Sequence, residues 1–153
     1  MRWQFQLALY ARARVDERIV LLYGDVGGGL WTAFRHDFPG RSYNVGICEQ
    51  SMVSMAAGMA IAGLRPICYT ITPFLIERAL EQIKLDVAQM RLPVGLVGHS
   101  DGTCGPTHRE LDAPAMMRLL PEIKSYFPIL PLEVGGIVAG INIEKPWFIS
   151  LHE

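Results

Sequence analysis

Short apolar runs of strand length alternate along this chain with segments of helical periodicity, and this alternation constrains the fold more than any other feature. The runs at residues 18–23 and 147–151 are too short for buried helices and are rich in β-branched and aromatic residues. Residues 74–90 carry apolar side chains at helical spacing and are predicted as one long helix. The alternation predicts an α/β fold of three layers, α/β/α, with a mostly parallel central sheet.

Six strands and six helices are predicted in this way. The strands are placed at residues 18–23, 42–45, 67–71, 94–97, 124–127 and 147–151, and the helices at residues 3–15, 30–38, 51–62, 74–90, 113–120 and 132–140. Functional loops of a parallel sheet follow the carboxyl ends of its strands. We therefore expect the site among the loops that begin at Gly24, Gly46, Thr72 and Gly98.

Length and composition exclude several classes of function. At 153 residues the chain is predicted as a single domain over residues 1–153, and its net charge of −1 with mixed signs argues against a nucleic-acid or polybasic membrane surface. No apolar run approaches the ~20 residues of a membrane span. Half of the residues are hydrophobic and the mean hydropathy is +0.23, so part of this excess is expected at a subunit interface, with buried strands as the alternative.

Three cysteines and the N-terminal sequence indicate the compartment. Cys48, Cys68 and Cys104 are an odd number without metal-type spacing, which is typical of reduced thiols rather than of a disulfide framework. The first residues lack the continuous apolar core of a signal peptide. We expect a cytoplasmic protein.

Glu49 is the strongest candidate for chemistry. It stands between the predicted strand end at residues 42–45 and a helix at residues 51–62 built almost wholly from Met, Ala, Val, Ile, Ser and Gly. The helix N-terminus favours the charged carboxylate and apolar walls favour the neutral acid, an opposition that suits proton transfer. On spacing alone, an ordinary solvated first-turn Glu is the favoured alternative.

Three ordered segments carry a resemblance to a known family. They are residues 46–50 (Gly-Ile-Cys-Glu-Gln) with Met52 and Gly58, residues 72–84 from Thr-Pro-Phe-Leu through Arg-Ala to Glu-Gln-Ile-Lys, and residues 92–94 (Leu-Pro-Val) leading to residues 105–108 (Gly-Pro-Thr-His). From residue 25 to residue 120 the chain thus resembles the pyrimidine-binding (Pyr) domain of transketolase-type thiamine diphosphate enzymes.

The resemblance implies a thiamine diphosphate cofactor and assigns it residues. Glu49 would hydrogen-bond the aminopyrimidine ring and support its proton transfers. Phe74 would stack on that ring, with a core position as the alternative. Relatives often place further aromatic residues here, whereas this chain has Ile71 and Glu77, with Tyr69 close by. Ile71 is therefore included as an aliphatic part of the ring-binding wall.

The loop with His108 is implied to meet the sugar substrate. Family members use this His to contact the sugar or its developing oxyanion, whereas a lone loop His is usually solvated. The family's usual Asp before Gly-Pro-Thr-His is replaced by Cys104, and residues 99–102 are the candidates to compensate. Arg78 is assigned to the cofactor site, and both Arg78 and Arg109 are candidates for a sugar phosphate, with surface solvation as the alternative.

Asp25 is a secondary candidate in the glycine-rich turn at residues 24–29. The run is neither a dinucleotide fingerprint nor a Walker sequence, so a tight turn is favoured over phosphate contact. In the resembled family an Asp in this loop lies near the cofactor and the partner subunit.

The resemblance also implies that a second domain, which binds the diphosphate end of the cofactor, is supplied by another chain. Transketolase-type sites form between a Pyr domain and a diphosphate domain that carries Gly-Asp-Gly and Asn for magnesium. No such metal motif is found in this sequence, and neither is the family's C-terminal domain. We expect a natural small subunit of a split transketolase, paired with a separate diphosphate-binding subunit that holds Mg²⁺, as a heterotetramer of two and two. The small residues Ala56, Ala57, Gly58 and Ala60 are candidates for that interface, with a core helix as the alternative.

Three functions follow from these observations. The favoured one is transfer of a two-carbon ketol unit between sugars or sugar phosphates. The second is another thiamine diphosphate reaction, either decarboxylation of a 2-oxo acid or joining of a keto acid to an aldehyde. The third is a non-catalytic regulatory partner, which the joint presence of Glu49, Phe74 and His108 argues against.

Overall fold

A six-stranded parallel sheet forms the centre of the protein. The computed structural model describes residues 1–101 and 104–152. Its strands are β1 Ile19–Tyr23, β2 Ser42–Asn44, β3 Arg65–Ile71, β4 Gly95–His99, β5 Lys124–Tyr126 and β6 Trp147–Leu151. Their order is β2-β1-β3-β4-β6-β5, and each neighbouring pair is parallel. The predicted α/β class is confirmed, and the sheet is parallel throughout the described strands.

Helices cover both faces of the sheet. Within the described ranges the α-helices are α1 Arg2–Ala13, α2 Thr32–Asp37, α3 Glu49–Ile61, α4 Thr72–Ile76, α5 Leu80–Gln82, α6 Ala113–Met117 and α7 Pro131–Gly140. Apolar residues of α3, α4 and α6 pack on one face of the sheet, and those of α1, α2 and α7 pack on the other. This is the three-layer arrangement that strand–helix alternation predicts.

The prediction of one continuous helix over residues 74–90 is wrong. The chain forms α4, turns at residues 77–79, forms α5 and continues as a π-helix at Ile83–Ala88. Ala79, at the turn, has φ −104° and ψ 20°. The apolar stripe survives the break because Leu75, Ala79, Ile83 and Val87 are all buried in one cluster. Helical spacing therefore identified the buried face correctly but could not show where the helix hydrogen bonds change.

Gly98 allows α4 to lie directly on β4. A Cβ atom at this position would stand 2.6 Å from Thr72 Oγ1 and 2.9 Å from Thr72 Cα. Because Thr72 is the first residue of α4, any side chain at position 98 would push this helix away from the sheet. The missing side chain thus helps to place the residues that follow Thr72.

The small residues of α3 belong mostly to the core. Ala56, Ala57 and Ala60 are buried within this single chain, whereas Gly58 is exposed. The prediction that Ala56, Ala57 and Ala60 lie at a subunit interface is therefore wrong, since they occupy the alternative position in the core, and of the four candidates Gly58 alone is exposed. Their small size lets α3 approach the sheet closely.

Among the described residues, none of the helices combines the length and the apolar character needed to cross a bilayer.

His99 gives the fold a sensitivity to acid. It ends β4, is only 2% exposed, and stacks on Tyr69 with ring centroids 5.3 Å apart. Burial, assisted by the charge of Arg2, lowers the pKa of His99 from 6.5 to about 4. The unfolded chain then binds more protons than the folded one between these values. Because protonation of His99 favours the unfolded chain, the unfolding free energy is unaffected by His99 above pH 6.5 and decreases as the pH falls from 6.5 towards 4.

We expect acidification from about pH 7 to about pH 5 to cost about 2 kcal/mol of unfolding free energy through His99 alone. Urea unfolding gives the unfolding free energy of the parent chain and of His99→Gln at both pH values. The contribution of His99 is the loss seen in the parent between pH 7 and pH 5 minus the loss seen in His99→Gln. His36→Gln is the control, because His36 is exposed. If His99→Gln loses as much stability as the parent between the two pH values, this account of His99 is wrong.

Candidate active site

A cavity of about 320 Å³ opens beyond the carboxyl ends of β1 and β3. The chain leaves β1 towards α2 on one face of the sheet and leaves β3 towards α4 on the other, so a crevice forms between the two strands. Such switch points are where parallel sheets bind ligands. The lining residues are Gly24, Asp25, Val26, Ile47, Glu49, Ile71, Phe74, Arg78, Thr107 and His108.

The structure brings six of the predicted site residues to this one cavity. They come from four separate parts of the chain: the loop after β1, the start of α3, the junction of β3 with α4, and the loop after β4. The six are Asp25, Glu49, Ile71, Phe74, Arg78 and His108. Arg109 is exposed and does not line the cavity. The individual roles of the six remain predictions.

Glu49 places a buried carboxylate at the cavity wall. It is the first residue of α3 and is only 2% exposed. Its Oε2 atom accepts a long hydrogen bond of 3.5 Å from Arg78 Nη1, and its Oε1 atom is buried with no hydrogen-bond partner among the described residues. An unsatisfied buried carboxylate oxygen is costly. Glu49 is therefore poised to accept a hydrogen bond from a ligand.

Phe74 presents a ring whose face is covered by Arg78. The guanidinium carbon of Arg78 lies 3.7 Å from the ring centroid, a cation–π contact. The Arg78 side chain is 39% exposed and also pairs with Glu49. A planar ligand that stacks on this face must displace Arg78, and its departure would leave Glu49 available to the ligand.

His108 approaches the same ring from the loop after β4. It ends a 3₁₀ turn at Pro106–His108, preceded by Gly105 with φ 106°, a conformation that favours glycine. Its imidazole meets Phe74 edge-on, with centroids 4.8 Å apart. His108 Nδ1 lies 3.1 Å from Thr107 Oγ1. This turn therefore places the imidazole of His108 in the lining of the cavity.

Asn44 holds two of the site loops together. Its Oδ1 atom accepts hydrogen bonds from the backbone N–H groups of Asp25 (3.1 Å) and Gly46 (3.0 Å), and its Nδ2 atom donates to Asp25 Oδ1 at 2.8 Å. Asp25 itself has φ 54°. Sequence reasoning missed Asn44, although an Asn at the end of a strand and two residues before a glycine is a typical turn signal.

Other lining residues also escaped the sequence analysis. Val26, Ile47 and Thr107 line the cavity beside residues that were predicted. Two side chains considered for the wall lie elsewhere. Tyr69 packs in the core against Trp31, with ring centroids 4.9 Å apart, and Glu77 accepts a hydrogen bond from the Leu111 backbone. The apolar side chains that accompany Phe74 in the cavity lining are therefore the aliphatic Val26, Ile47 and Ile71.

The glycine turn at residues 24–29 fits the favoured tight-turn interpretation. A Cβ atom at Gly24 would stand 3.0 Å from Thr70 Oγ1, and Gly27 has φ 70° and lies against Trp31 and Tyr69. Of this segment, Gly24, Asp25 and Val26 reach the cavity.

Cys104 occupies the rim of the site. It is exposed, and its Sγ atom lies 3.4 Å from Asp101 Oδ1. Of the stretch expected to compensate for the missing Asp, residues 99–101 are described, and Gly102 lies outside the described residues.

Comparison with known proteins identifies relatives along the entire chain. Residues 1–153 match the family "Transketolase, pyrimidine binding domain". One of the apulose-4-phosphate transketolase subunits of Actinobacillus succinogenes is 40% identical over 123 residues, which is 77% of this chain. A probable 1-deoxy-D-xylulose-5-phosphate synthase of Oryza sativa subsp. japonica is 37% identical over 143 residues, which is 88% of this chain. A solved structure described as a split gene transketolase, inactive beta4 tetramer, has a TM-score of 0.87 at 30% identity and covers 99% of this chain.

These relatives are longer than the chain described here. It spans 40% of the Actinobacillus subunit, 19% of the rice synthase and half of the split gene transketolase chain. The similarity therefore concerns one domain of each relative.

Proposed function

Because the chain belongs to the family of transketolase pyrimidine-binding domains, we propose that it is the Pyr subunit of a two-component thiamine diphosphate-dependent transketolase. The complete enzyme would transfer a two-carbon ketol unit between sugars or sugar phosphates. One observation carries the proposal: the cavity joins the buried, incompletely satisfied Glu49 to Phe74 and His108. The cytoplasm, inferred from the cysteine pattern, is the proposed compartment.

The residues present fit the pyrimidine half of the cofactor. Glu49 Oε1 is a buried acceptor without a partner among the described residues, which suits a ring N–H donor. Phe74 offers an aromatic surface and Ile71 an apolar wall. When bound, thiamine diphosphate supplies the nucleophilic carbon and the electron sink for ketol transfer.

The protein's own task in this proposal is to position groups and move protons. Glu49 would share a proton with the ring nitrogen that it contacts, which is general acid–base catalysis. Arg78 leaves the face of Phe74 and is then available to an anionic part of the ligand. His108 donates a hydrogen bond to the substrate oxygen on which negative charge develops.

The diphosphate and Mg²⁺ are assigned to a separate partner subunit. The similarity to one subunit of the Actinobacillus transketolase and to a split gene transketolase supports this division. We propose an assembly of two Pyr subunits and two diphosphate-binding subunits, with the site shared between them.

A second candidate is a synthase that joins a keto acid to an aldehyde. It is favoured by the 37% identity to the rice 1-deoxy-D-xylulose-5-phosphate synthase over 88% of this chain. Donor screening of the assembled enzyme separates the two candidates: a ketose phosphate donor supports the transketolase, and a 2-oxo acid donor supports the synthase.

Calorimetric titration of thiamine diphosphate with Mg²⁺ tests the division of the site. We expect binding to an equimolar mixture of this chain and a candidate diphosphate-domain subunit, because each chain would hold only one end of the cofactor. Separate titrations of the two chains are the controls.

Tight binding to this chain alone would show that it holds the diphosphate itself, and the shared-site proposal would then fail. Equal binding to the partner alone and to the mixture would contradict the role of this cavity.

A further inference from the structure

We propose that Asp101, Cys104 and His108 form a Zn²⁺ site at the rim of the candidate active site. A carboxylate oxygen, a thiol sulfur and an imidazole nitrogen, one from each residue, all lie within 4.8 Å of one another. Within residues 1–101 and 104–152 this is the one group of three such side chains close enough to share a metal ion. The site is additional to the Mg²⁺ that the proposed function assigns to the partner.

The ligand chemistry favours zinc over magnesium or calcium. Mg²⁺ and Ca²⁺ prefer oxygen ligands, and only Asp101 offers oxygen here. Zn²⁺ accepts thiolate, imidazole and carboxylate together, commonly as three protein ligands with water in the fourth position. On binding, the thiolate and the carboxylate would offset both charges of the ion.

The local backbone brings the three ligands together. The Cys104 backbone N–H donates a hydrogen bond of 3.4 Å to the Asp101 carbonyl, which holds these two residues together. Gly105 then takes a φ of 106°, and the His108 N–H donates to the Gly105 carbonyl at 3.1 Å. The chain reverses so that His108 returns beside Cys104.

Part of the site already has the spacing that zinc requires. With bonds of about 2.0–2.3 Å and tetrahedral angles, two ligand atoms of one zinc ion stand about 3.5 Å apart. Cys104 Sγ lies 3.4 Å from Asp101 Oδ1. The imidazole needs to approach this pair by about 1 Å, a small movement for a ring in a surface loop.

Thr107 provides an outer-shell contact for the imidazole. Its Oγ1 atom lies 3.1 Å from His108 Nδ1. A metal-bound His commonly donates its second ring N–H to such a partner, which fixes the tautomer. An Nδ1–H bond to Thr107 would leave the Nε2 lone pair for the metal.

Zinc binding would inhibit the proposed enzyme. His108 lines the cavity and touches Phe74, so an ion that holds its imidazole withdraws it from the substrate. This consequence rests on the proposed function, whereas the metal site does not. Binding measured on this chain without cofactor or partner therefore tests the site independently.

The test is a Zn²⁺ titration of the purified chain in competition with a chromophoric chelator, together with the absorption spectrum after addition of Co²⁺. We expect one Zn²⁺ per chain and a thiolate-to-cobalt charge-transfer band. Cys104→Ser should remove the band and weaken Zn²⁺ binding by at least about 10-fold, and Asp101→Asn should weaken it by a similar factor. Cys48→Ser is the matched control, because Cys48 is an exposed cysteine outside the cluster.

Unchanged Zn²⁺ affinity in Cys104→Ser, a cobalt spectrum without the charge-transfer band, or failure of the parent chain to bind one equivalent would each overturn the proposal. A band lost in Cys48→Ser but kept in Cys104→Ser would place the metal elsewhere and would also overturn it. None of these results depends on whether thiamine diphosphate binds, so failure of the metal site and failure of the proposed function remain distinguishable.

Discussion

Replacement of Glu49 by Gln is expected to lower the turnover of the assembled enzyme by about 100-fold or more, the typical loss when a general acid–base group is removed. The amide has the size and polarity of the carboxyl group but does not titrate. Glu49 is buried at the cavity wall, whereas Asp25, the other carboxylate of the lining, is exposed and accepts a hydrogen bond from Asn44. Thiamine diphosphate affinity should change much less than turnover.

The contact of Glu49 with Arg78 requires a check on folding. The Arg78 guanidinium now faces a carboxylate at 3.5 Å, and in Glu49→Gln it would face a neutral amide. Arg78 is 39% exposed and can turn to solvent, so we expect only a small loss of stability. Circular dichroism and urea unfolding of the variant chain establish whether it is folded before its activity is interpreted.

Glu17→Gln is the matched control for this substitution. Glu17 is exposed and precedes β1, so it lies at the edge of the sheet opposite the cavity. Its turnover should equal that of the parent. Near-normal turnover in Glu49→Gln would refute the assignment of Glu49, whereas equal losses in both variants would point to a general effect of charge.

Gly95→Ala is expected to destabilise the chain by about 3 kcal/mol, the upper end of what overpacking a core costs. Gly95 begins β4 and pairs with Ile67 of β3 and Trp147 of β6. A Cβ atom at position 95 would lie 2.3 Å from Trp147 Cζ2 and 2.7 Å from Ile67 Cδ1. The indole of Trp147 is buried and packed between helices and sheet, so it cannot move without opening the core.

Urea unfolding of the full chain measures this cost, and a lowering of the melting temperature by about 10 °C should accompany it. Gly58→Ala is the control, because a Cβ atom on the exposed side of α3 meets nothing within 4 Å. Alanine favours the helix there by up to about 1 kcal/mol, so this variant should be as stable as the parent or more stable. A Gly95→Ala chain within about 0.5 kcal/mol of the parent would show that Trp147 can rearrange.

Several features of the fold followed from local pattern. The closing strand Trp147–Leu151 was predicted at its observed limits, and the first helix and strand were predicted to within two residues. Apolar periodicity predicts an element correctly where the burial of one face of a helix, or of both faces of a strand, is enough to decide its conformation. The break of the helix over residues 74–90 was not visible, because the buried stripe is the same on both sides of the turn.

The candidate site was predicted from motifs, but its construction was not. The motifs and the resemblance identified Glu49, Phe74 and His108, which lie 25 and 34 residues apart along the chain. Asn44 hydrogen-bonds the loop that holds Asp25, and the guanidinium of Arg78 lies over the ring of Phe74. These contacts join segments that meet only after folding.

The order of apolar and polar residues was sufficient to establish the parallel α/β architecture and the loops in which chemistry should lie, because both depend on periodicity and on the ends of strands. Side-chain contacts across the chain belong to the folded state alone. The meeting of Glu49 with Arg78, the cluster of Asp101, Cys104 and His108, and the burial of the α3 alanines all depend on how the helices lie on the sheet. Close packing determines the positions of the helices, and it requires residues without a side chain at positions such as Gly95 and Gly98. The local sequence pattern does not contain this information.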